Sequence, residues 1–416
     1  MEYGCIGEHL PHSFSREIHQ LIGDYDYQLR EIERGDLCAF MKAADFRAIN
    51  VTIPYKEAVI PYLSEISPKA RAIGAVNTIV NRDGKLFGDN TDFSGMDALL
   101  QRLGIDPCGK KVLILGTGGT SKTAKALMES HEARAIYRVS RRKSEEDPGI
   151  ITYEEAYSDH TDAEIIVNTT PVGMFPETDA CPLDFSAFPN LLGALDAVYN
   201  PLRTIFVQQA EDRKIRSEGG LYMLVAQAVY ASALFTGRPV REGMTERIFK
   251  KLRYDKENIV ITGMSGAGKS AVGKALRRIT GRKLVDTDAL IAADAGMSIP
   301  EIFEKFGEEG FRAMETEAIR SASRENGIII STGGGAVLRE KNLRELKKNG
   351  RIFFLQRDIS EIEPSPDRPL ADTREKVAAL YRARLPLYLW SADSVVLVKG
   401  TPEDTAGILL KNRLES

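Results

Sequence analysis

Three short apolar runs along the chain each end in a glycine cluster. Val112-Leu113-Ile114-Leu115 leads into Gly116-Thr117-Gly118-Gly119, Ile259-Val260-Ile261-Thr262 into Gly263, and Ile328-Ile329-Ile330 toward Gly333-Gly334-Gly335. Runs that are apolar on both faces mark buried parallel strands, and parallel strands need helical crossovers. The pattern predicts an α/β fold of strand–turn–helix units, with helices over about 122–130 and 271–279. A longer, weakly polar run at 221–236 includes Gln227 and is shorter than the ~20 residues of a membrane span, so it reads as a buried helix. Near residue 255 the pattern breaks. Residues 247–257 are charged, with little apolar content beyond Ile248, Phe249, Leu252 and Tyr254, and a fresh strand begins at Asn258. This places one unit at about 1–252 and another at about 257–416, joined by a short linker.

Composition narrows the class without changing that outline. The 416 residues suit two or three domains, and 43% hydrophobic with 28% charged residues is a globular balance. Lys+Arg 56 against Asp+Glu 59 leaves a net charge of -3, so no basic excess points to nucleic acid or an anionic membrane. Four scattered cysteines, at Cys5, Cys38, Cys108 and Cys181, form no Cys-x-x-Cys pair. That argues against zinc and fits a reducing cytoplasm. The first nine residues hold no apolar signal-peptide core.

The chemistry of the second unit starts at Gly263-Met264-Ser265-Gly266-Ala267-Gly268-Lys269-Ser270, which fits G-x-x-x-x-G-K-[ST] throughout. Glycine backbone amides cradle phosphates, Lys269 neutralises the outer ones, and Ser270 offers a hydroxyl to Mg²⁺. Leu284-Val285-Asp286-Thr287-Asp288 follows, with two carboxylates that can divide labour between the metal's water shell and an acceptor hydroxyl. Then come Phe311-Arg312-Ala313-Met314-Glu315, Ser331-Thr332-Gly333-Gly334-Gly335, Arg368-Pro369-Leu370 and Arg384-Leu385-Pro386-Leu387-Tyr388. Arginines spread in this way can converge on an anionic substrate and a transferring phosphoryl group. Plainer roles exist for some of them. Arg312 and Glu315 have the spacing of a surface helix pair, Arg384 can pack beside Tyr388, and Asp286 can cap a helix.

The ordered series resembles shikimate kinase over nearly all of 258–416. The resemblance implies a P-loop kinase with a parallel sheet that phosphorylates the 3-hydroxyl of shikimate with ATP. Asp288 would hold the acceptor hydroxyl and take its proton. Arg312 and Arg384 would clamp the shikimate carboxylate, and the Gly334 amide would help hold the ring hydroxyls. Gly266, Ala267, Gly268, Lys269, Ser270 and Ala271 would bind ATP, with Arg368 from a lid. Ser270 would reach Mg²⁺ and Asp286 its outer shell. The stretch 356–368, with Pro364 and Pro366, is short for a lid region, so helical structure before the lid is expected to be curtailed.

In the first unit, the Gly116–Ser121 turn is followed by Ala135-Ile136-Tyr137-Arg138-Val139, which ends in Ser140-Arg141-Arg142-Lys143. A dinucleotide fold puts a carboxylate at this strand end for NAD; basic residues there suit the 2′-phosphate of NADP. Upstream stand His12-Ser13-Phe14-Ser15, Asn50-Val51-Thr52-Ile53-Pro54-Tyr55-Lys56, Ala75-Val76-Asn77-Thr78 and Gly88-Asp89-Asn90-Thr91-Asp92. A lysine near a carboxylate can protonate the alkoxide that forms when a ketone accepts hydride, a contribution of ~10²–10⁴-fold.

These clusters resemble shikimate dehydrogenase over about 1–250. The resemblance implies a two-lobed enzyme, with a substrate lobe at about 1–92 plus 219–252 and a Rossmann-type NADP lobe at about 93–218. The implied reaction is NADPH-dependent reduction of 3-dehydroshikimate to shikimate. Lys56 would be the acid/base and Asp92 its partner. Ser13 and Ser15 would bind the substrate carboxylate, and Thr52, Asn77, Gln227 and Tyr199 would complete the substrate site. Gly116, Thr117, Gly118, Gly119 and Thr120 would bind the pyrophosphate, and Ser140, Arg141 and Arg142 the adenosine phosphate. Ala197 and Gly220 would lie at the nicotinamide. His12 and His19 read as structural rather than catalytic. The expectation is a bifunctional enzyme acting on small molecules, in which the product of one half is the substrate of the other. Quinate as the first substrate, or one half serving only a structural or regulatory role, are the alternatives.

Overall fold

The structure, a computed structural model, describes residues 1–10, 13–364 and 372–415. The chain divides into two compact units, Met1–Leu252 and Arg253–Ser416. Each is built on the buried strands that the apolar runs mark.

The first unit holds two sheets. One comprises β1 (Tyr3–Gly7), β2 (Gln28–Glu31), β3 (Ala48–Val51), β4 (Glu65–Ile66), β5 (Thr78–Arg82) and β6 (Lys85–Asp89), ordered β2-β1-β3-β5-β6-β4. It is mixed. β1 runs parallel to β2 and β3, whereas β5 is antiparallel to both β3 and β6. The β5–β6 hairpin turns at Asp83 and Gly84, both at positive φ (52° and 85°), as a two-residue hairpin turn requires. Apolar runs, which flag strands buried on both faces, do not foresee this hairpin.

The second sheet comprises β7 (Lys111–Leu115), β8 (Ala135–Ser140), β9 (Ile150–Thr152), β10 (Ile165–Asn168), β11 (Gly193–Asp196) and β12 (Arg216–Glu218), in the order β12-β11-β10-β7-β8-β9 with every pair parallel. Strand order reverses between β7 and β10, which opens a crevice at their carboxyl ends. Alternate residues of β7 feed two cores: Leu113 and Leu115 pack on one face, Val112 and Ile114 on the other. This is why the run is apolar throughout.

The second unit has one parallel sheet of β13 (Asn258–Thr262), β14 (Leu284–Asp286), β15 (Ile329–Ser331), β16 (Gly350–Gln356) and β17 (Ser394–Leu397), ordered β14-β15-β13-β16-β17. Ile259 and Ile261 face one core and Val260 the other.

The predicted helices are present but start earlier, at Gly119–Ser130 and Lys269–Thr280. They begin inside the glycine turns, which aims their first amides out of the loops. The run Leu221–Thr236 is a largely buried helix that ends at Gly237 (φ 67°). No helix among the described residues is long and apolar enough to cross a membrane.

The short linker expected between about 252 and 257 is helix. Met244–Lys256 is continuous, and the division between the units falls within it. Ile248, Phe249 and Leu252 recur at helical spacing and pack in the first unit against Phe14, Ile18, Leu221 and Val225. In the second unit, Arg413 Nη2 donates to the carbonyls of Tyr254 (2.6 Å) and Glu257 (2.9 Å), and Arg282 donates to the same two carbonyls. Two guanidinium groups thus hold one carbonyl of the helix's last turn and the carbonyl just beyond its end.

Candidate active sites

In the first unit Lys56 Nζ lies 2.6 Å from Asp92 Oδ2, with the two side chains 13% and 10% exposed. Asp92 stands in the first turn of the helix Thr91–Leu103, where the helix dipole favours a carboxylate. Asn90 caps that helix and also donates to the Ala75 carbonyl (2.9 Å), tying it to the segment that leads into β5. Asn77 is buried beside the pair. Its Nδ2 donates to Thr91 Oγ1 (3.1 Å) and to Gln227 Oε1 (3.5 Å), and its Oδ1 accepts from the Thr91 amide (2.7 Å). Gln227 reaches this place from the helix Leu221–Thr236, which approaches Thr91–Leu103 so closely at Gly95 that a Cβ there would lie 2.7 Å from the Met223 carbonyl. Thr52 sits at the carboxyl end of β3, in the same turn as Lys56. Burial pushes the Tyr199 phenol up to about 12, and the nearby Ser13 hydroxyl acts against that shift. Ser13 Oγ also accepts from the amide of Ser15, the first residue of the helix Ser15–Ile22. His12 lies outside the described residues. His19 is buried, stacked on Tyr27 at 3.7 Å, and its pKa is pushed down to about 3 by burial, the profile of a structural imidazole.

The dinucleotide turn stands next to Lys56, since a Cβ on Gly119 would meet Lys56 Cβ and Cδ at 3.5 Å. Gly116 has φ 103°, which favours glycine, and the buried Ser121 Oγ ties the turn by donating to the Gly116 carbonyl (2.7 Å). A Cβ on Gly118 would meet nothing within 4 Å, so that side of the turn is open, with exposed Thr117 before it and Thr120 in the helix behind it. Ser140 ends β8 and accepts from the Arg142 amide; Arg141 and Arg142 extend into solvent, whereas Lys143 is paired with Glu155. Across the crevice Gly220 comes so near Ala197 that a Cβ would lie 2.3 Å from its carbonyl oxygen. The loop there hangs from Asp196, fully buried at the end of β11. This carboxylate accepts from Thr204 Oγ1 (2.5 Å), Asn168 Nδ2 (2.9 Å) and the Val198 amide (3.0 Å). The fingerprint residues and the open turn fit a dinucleotide.

In the second unit a cavity of about 490 Å³ opens between the phosphate loop and the helices that follow, lined among others by Lys269, Ser270, Asp288, Arg312, Gly334 and Arg384. Gly263, Gly266 and Gly268 all have positive φ, and Lys269 Nζ donates to the carbonyls of Gly263 and Met264 (both 2.9 Å). Ser270 Oγ donates to Asp286 Oδ2 (2.7 Å), and Asp286 also caps the helix Thr287–Ala295, so its capping role and its place beside Ser270 coexist. A hydroxyl and a carboxylate side by side are hard oxygen donors that fit Mg²⁺. Asp288 is pushed up in pKa by burial, against the pull of Lys269 and Arg312.

Arg312 and Glu315 do pair, at 2.9 Å, but inside the protein: their side chains are 7% and 0% exposed. The surface-pair reading is thereby corrected. The pair lies beyond the break that Gly307 (φ 69°) makes in Ile299–Ser323. Arg384 Nη1 donates to the Gly334 carbonyl (3.1 Å), which Tyr388 Oη also holds. Glu315 emerges as a cavity residue that the motif gives only as a helix neighbour of Arg312. Its Oε1 and Asp288 Oδ1 have no partner among the described residues, and both face Gly333, where a Cβ would meet them at 2.8 and 2.6 Å. Two buried acceptor oxygens beside a buried guanidinium suit a ligand that carries hydroxyls and a carboxylate. Arg368 lies outside the described residues. The part of the short lid region that is described, up to residue 364, holds one 3₁₀ turn, Ile359–Glu361.

Taken together, fold and sites define a dinucleotide-dependent oxidoreductase followed by a P-loop phosphotransferase. A model of the shikimate dehydrogenase substrate-binding domain matches residues 5–79, and a shikimate kinase model matches 265–412. The chain is 37% identical over 266 residues to the shikimate dehydrogenase (NADP(+)) of Clostridium perfringens (strain SM101 / Type A), covering 98% of that protein and 60% of this chain. The crystal structure of shikimate dehydrogenase 1 from Peptoclostridium difficile matches at 34% identity and TM-score 0.57, over 98% of that chain and 61% of this one. Shikimate 5-dehydrogenase from Thermus thermophilus, in complex with NADP(H) and shikimate, matches at 30% and TM-score 0.54, over 99% of that chain and 60% of this one. The chain belongs to the shikimate dehydrogenase family and carries a shikimate kinase domain after it, which makes it a bifunctional enzyme of the shikimate pathway.

Proposed function

We propose that residues 1–252 reduce 3-dehydroshikimate to shikimate with NADPH, and that residues 257–416 then phosphorylate the 3-hydroxyl of shikimate with ATP and Mg²⁺. The observation that carries the first half is the enclosed Lys56–Asp92 pair beside the Gly119 turn. NADPH supplies the hydride. Lys56 Nζ gives its proton to the carbonyl oxygen as negative charge develops there, and takes it back in the reverse reaction. Asp92 fixes the ammonium and accepts from a substrate hydroxyl. Ser13 and Ser15 hold the carboxylate, while Thr52, Asn77, Gln227 and Tyr199 hold the remaining oxygens, in a substrate lobe of about 1–92 plus 219–252. The NADP lobe, about 93–218, uses Gly116, Thr117, Gly118, Gly119 and Thr120 for the pyrophosphate, Ser140, Arg141 and Arg142 for the 2′-phosphate, and Ala197 with Gly220 for the nicotinamide. The ligands of the Thermus thermophilus relative support this reading.

In the second half Asp288 accepts the proton of the attacking hydroxyl, a task its raised proton affinity suits. Arg312 and Arg384 clamp the carboxylate, and the Gly334 amide with Glu315 orients ring hydroxyls. With ATP and Mg²⁺ bound, Lys269 would exchange loop carbonyls for phosphate oxygens, Ser270 would ligate the metal, and Asp286 would hold its water shell. Arg368 would close over the phosphates. The test is one reaction containing the whole chain, 3-dehydroshikimate, NADPH, ATP and Mg²⁺. Shikimate 3-phosphate that appears after NADPH oxidation is the expected result. Shikimate that accumulates would end the kinase assignment, and NADPH left unoxidised would end the dehydrogenase one.

A further inference from the structure

We propose that Arg357 is a contact for the nucleotide's phosphate chain in the second unit. The inference rests on the kinase reading of that unit. Arg357 directly follows β16, which pairs in parallel with β13 from Asn258↔Gly350 to Thr262↔Phe354, so it emerges alongside the phosphate loop. Its Nη1 lies 3.9 Å from a Cβ built on Gly268, which sets the guanidinium against the loop. The acceptor cavity lies on the other side. Asp286 ends β14, Asp288 follows it and the glycines 333–335 follow β15, and the sheet order puts these strands across β13 from β16. A nucleotide whose terminal phosphate points at that cavity leaves the loop on the flank where Arg357 stands.

The local charges single this residue out. From 357 to 364 the chain carries Asp358, Glu361 and Glu363 but one cation, Arg357. Each carboxylate has a partner: Asp358 accepts from Ser360, Glu363 pairs with Arg374, and Glu361 pairs with Arg357 at 3.0 Å. The Arg357–Glu361 pair is 33% and 57% exposed, and such pairs hold weakly. A phosphate chain, with more charge and more acceptors, displaces Glu361 from the guanidinium.

The experiment measures binding of Mg·ADP and of inorganic tripolyphosphate to the whole chain by titration calorimetry, for the wild type, R357A, R357Q and E361Q. The expected result is a loss of roughly 10–100-fold for both ligands in R357A and R357Q, the scale of one charge-assisted hydrogen bond. The KM for shikimate stays unchanged, and E361Q binds as tightly as the wild type or tighter. Undiminished binding in both Arg357 variants would overturn the proposal. So would weakened ADP with unchanged tripolyphosphate, which would move the contact to the nucleoside. A wild type that binds Mg·ADP but does not phosphorylate shikimate would end the kinase reading and leave the Arg357 measurement standing.

Discussion

Burying a carboxylate oxygen without a partner is costly, so Asp288 Oδ1 and Glu315 Oε1, side by side at Gly333, mark where ligand hydroxyls are expected. Glu315→Gln keeps the shape and the bond to Arg312 but removes the charge. Its kcat/KM for shikimate should fall roughly 10–100-fold with the KM for ATP unchanged; a change confined to ATP would place Glu315 wrongly. Asp196 is the other informative acid. Burial pushes its pKa up to about 7, although Thr204, Val198 and Asn168 donate to it. The fold therefore holds this proton at pH values where the unfolded chain has released it. The stabilisation is complete below about pH 4 and is lost as pH rises through about 7. Asp196→Asn abolishes this titration. In heating experiments that follow surviving NADPH oxidation, the wild type should lose ground to the variant between about pH 4.5 and 8; parallel curves would refute the assignment. Lys56, Asp92, Lys269 and Ser270 are legible in the sequence because their chemistry sits in contiguous motifs with fixed spacing. Asp196 and the buried state of Glu315 are not, because they depend on distances set by packing: Asp196 to Thr204 across a loop, Glu315 on its helix to a glycine in the loop after β15.

At the scale of elements, the strands were legible for a simple reason: Val112–Leu115 and Ile259–Ile261 serve two cores at once and leave no polar face. The β5–β6 hairpin and the Met244–Lys256 helix were not. The hairpin signal is only Asp83-Gly84, and the helix hides a narrow apolar stripe, Ile248, Phe249 and Leu252, among charges. Helix contact also controls the first site. The crossing of Thr91–Leu103 with Leu221–Thr236 brings Gln227 to Asn77, and Gly95 sets its closeness. Gly95→Ala would put a Cβ 2.7 Å from the Met223 carbonyl and 2.9 Å from Gln227 Cβ. The helices must then part, at a cost of about 1–3 kcal/mol. Denaturant unfolding should show that loss, and the KM for 3-dehydroshikimate should rise more than the KM for NADPH. Equal stability with unchanged KM would show that the crossing has slack.

For the whole molecule, the two sites use separate residues on separate units, so their activities should separate by mutation. Lys56→Ala should lower NADPH oxidation by ~10²–10⁴-fold and leave phosphorylation of supplied shikimate intact; Lys269→Ala should do the reverse. Loss of both activities in either folded variant would show that the units do not work independently. The helix that crosses from one unit to the other has a consequence for how such a chain can be divided. A fusion joined through a loop can be undone by a new stop and start codon anywhere along it. Here a break after Leu252 would cut through helical turns, and a break after Glu257 would take from the second product the carbonyls that Arg282 and Arg413 hold. Either break leaves one product with a frayed helix end, so cutting the chain here is expected to cost one of the two halves stability.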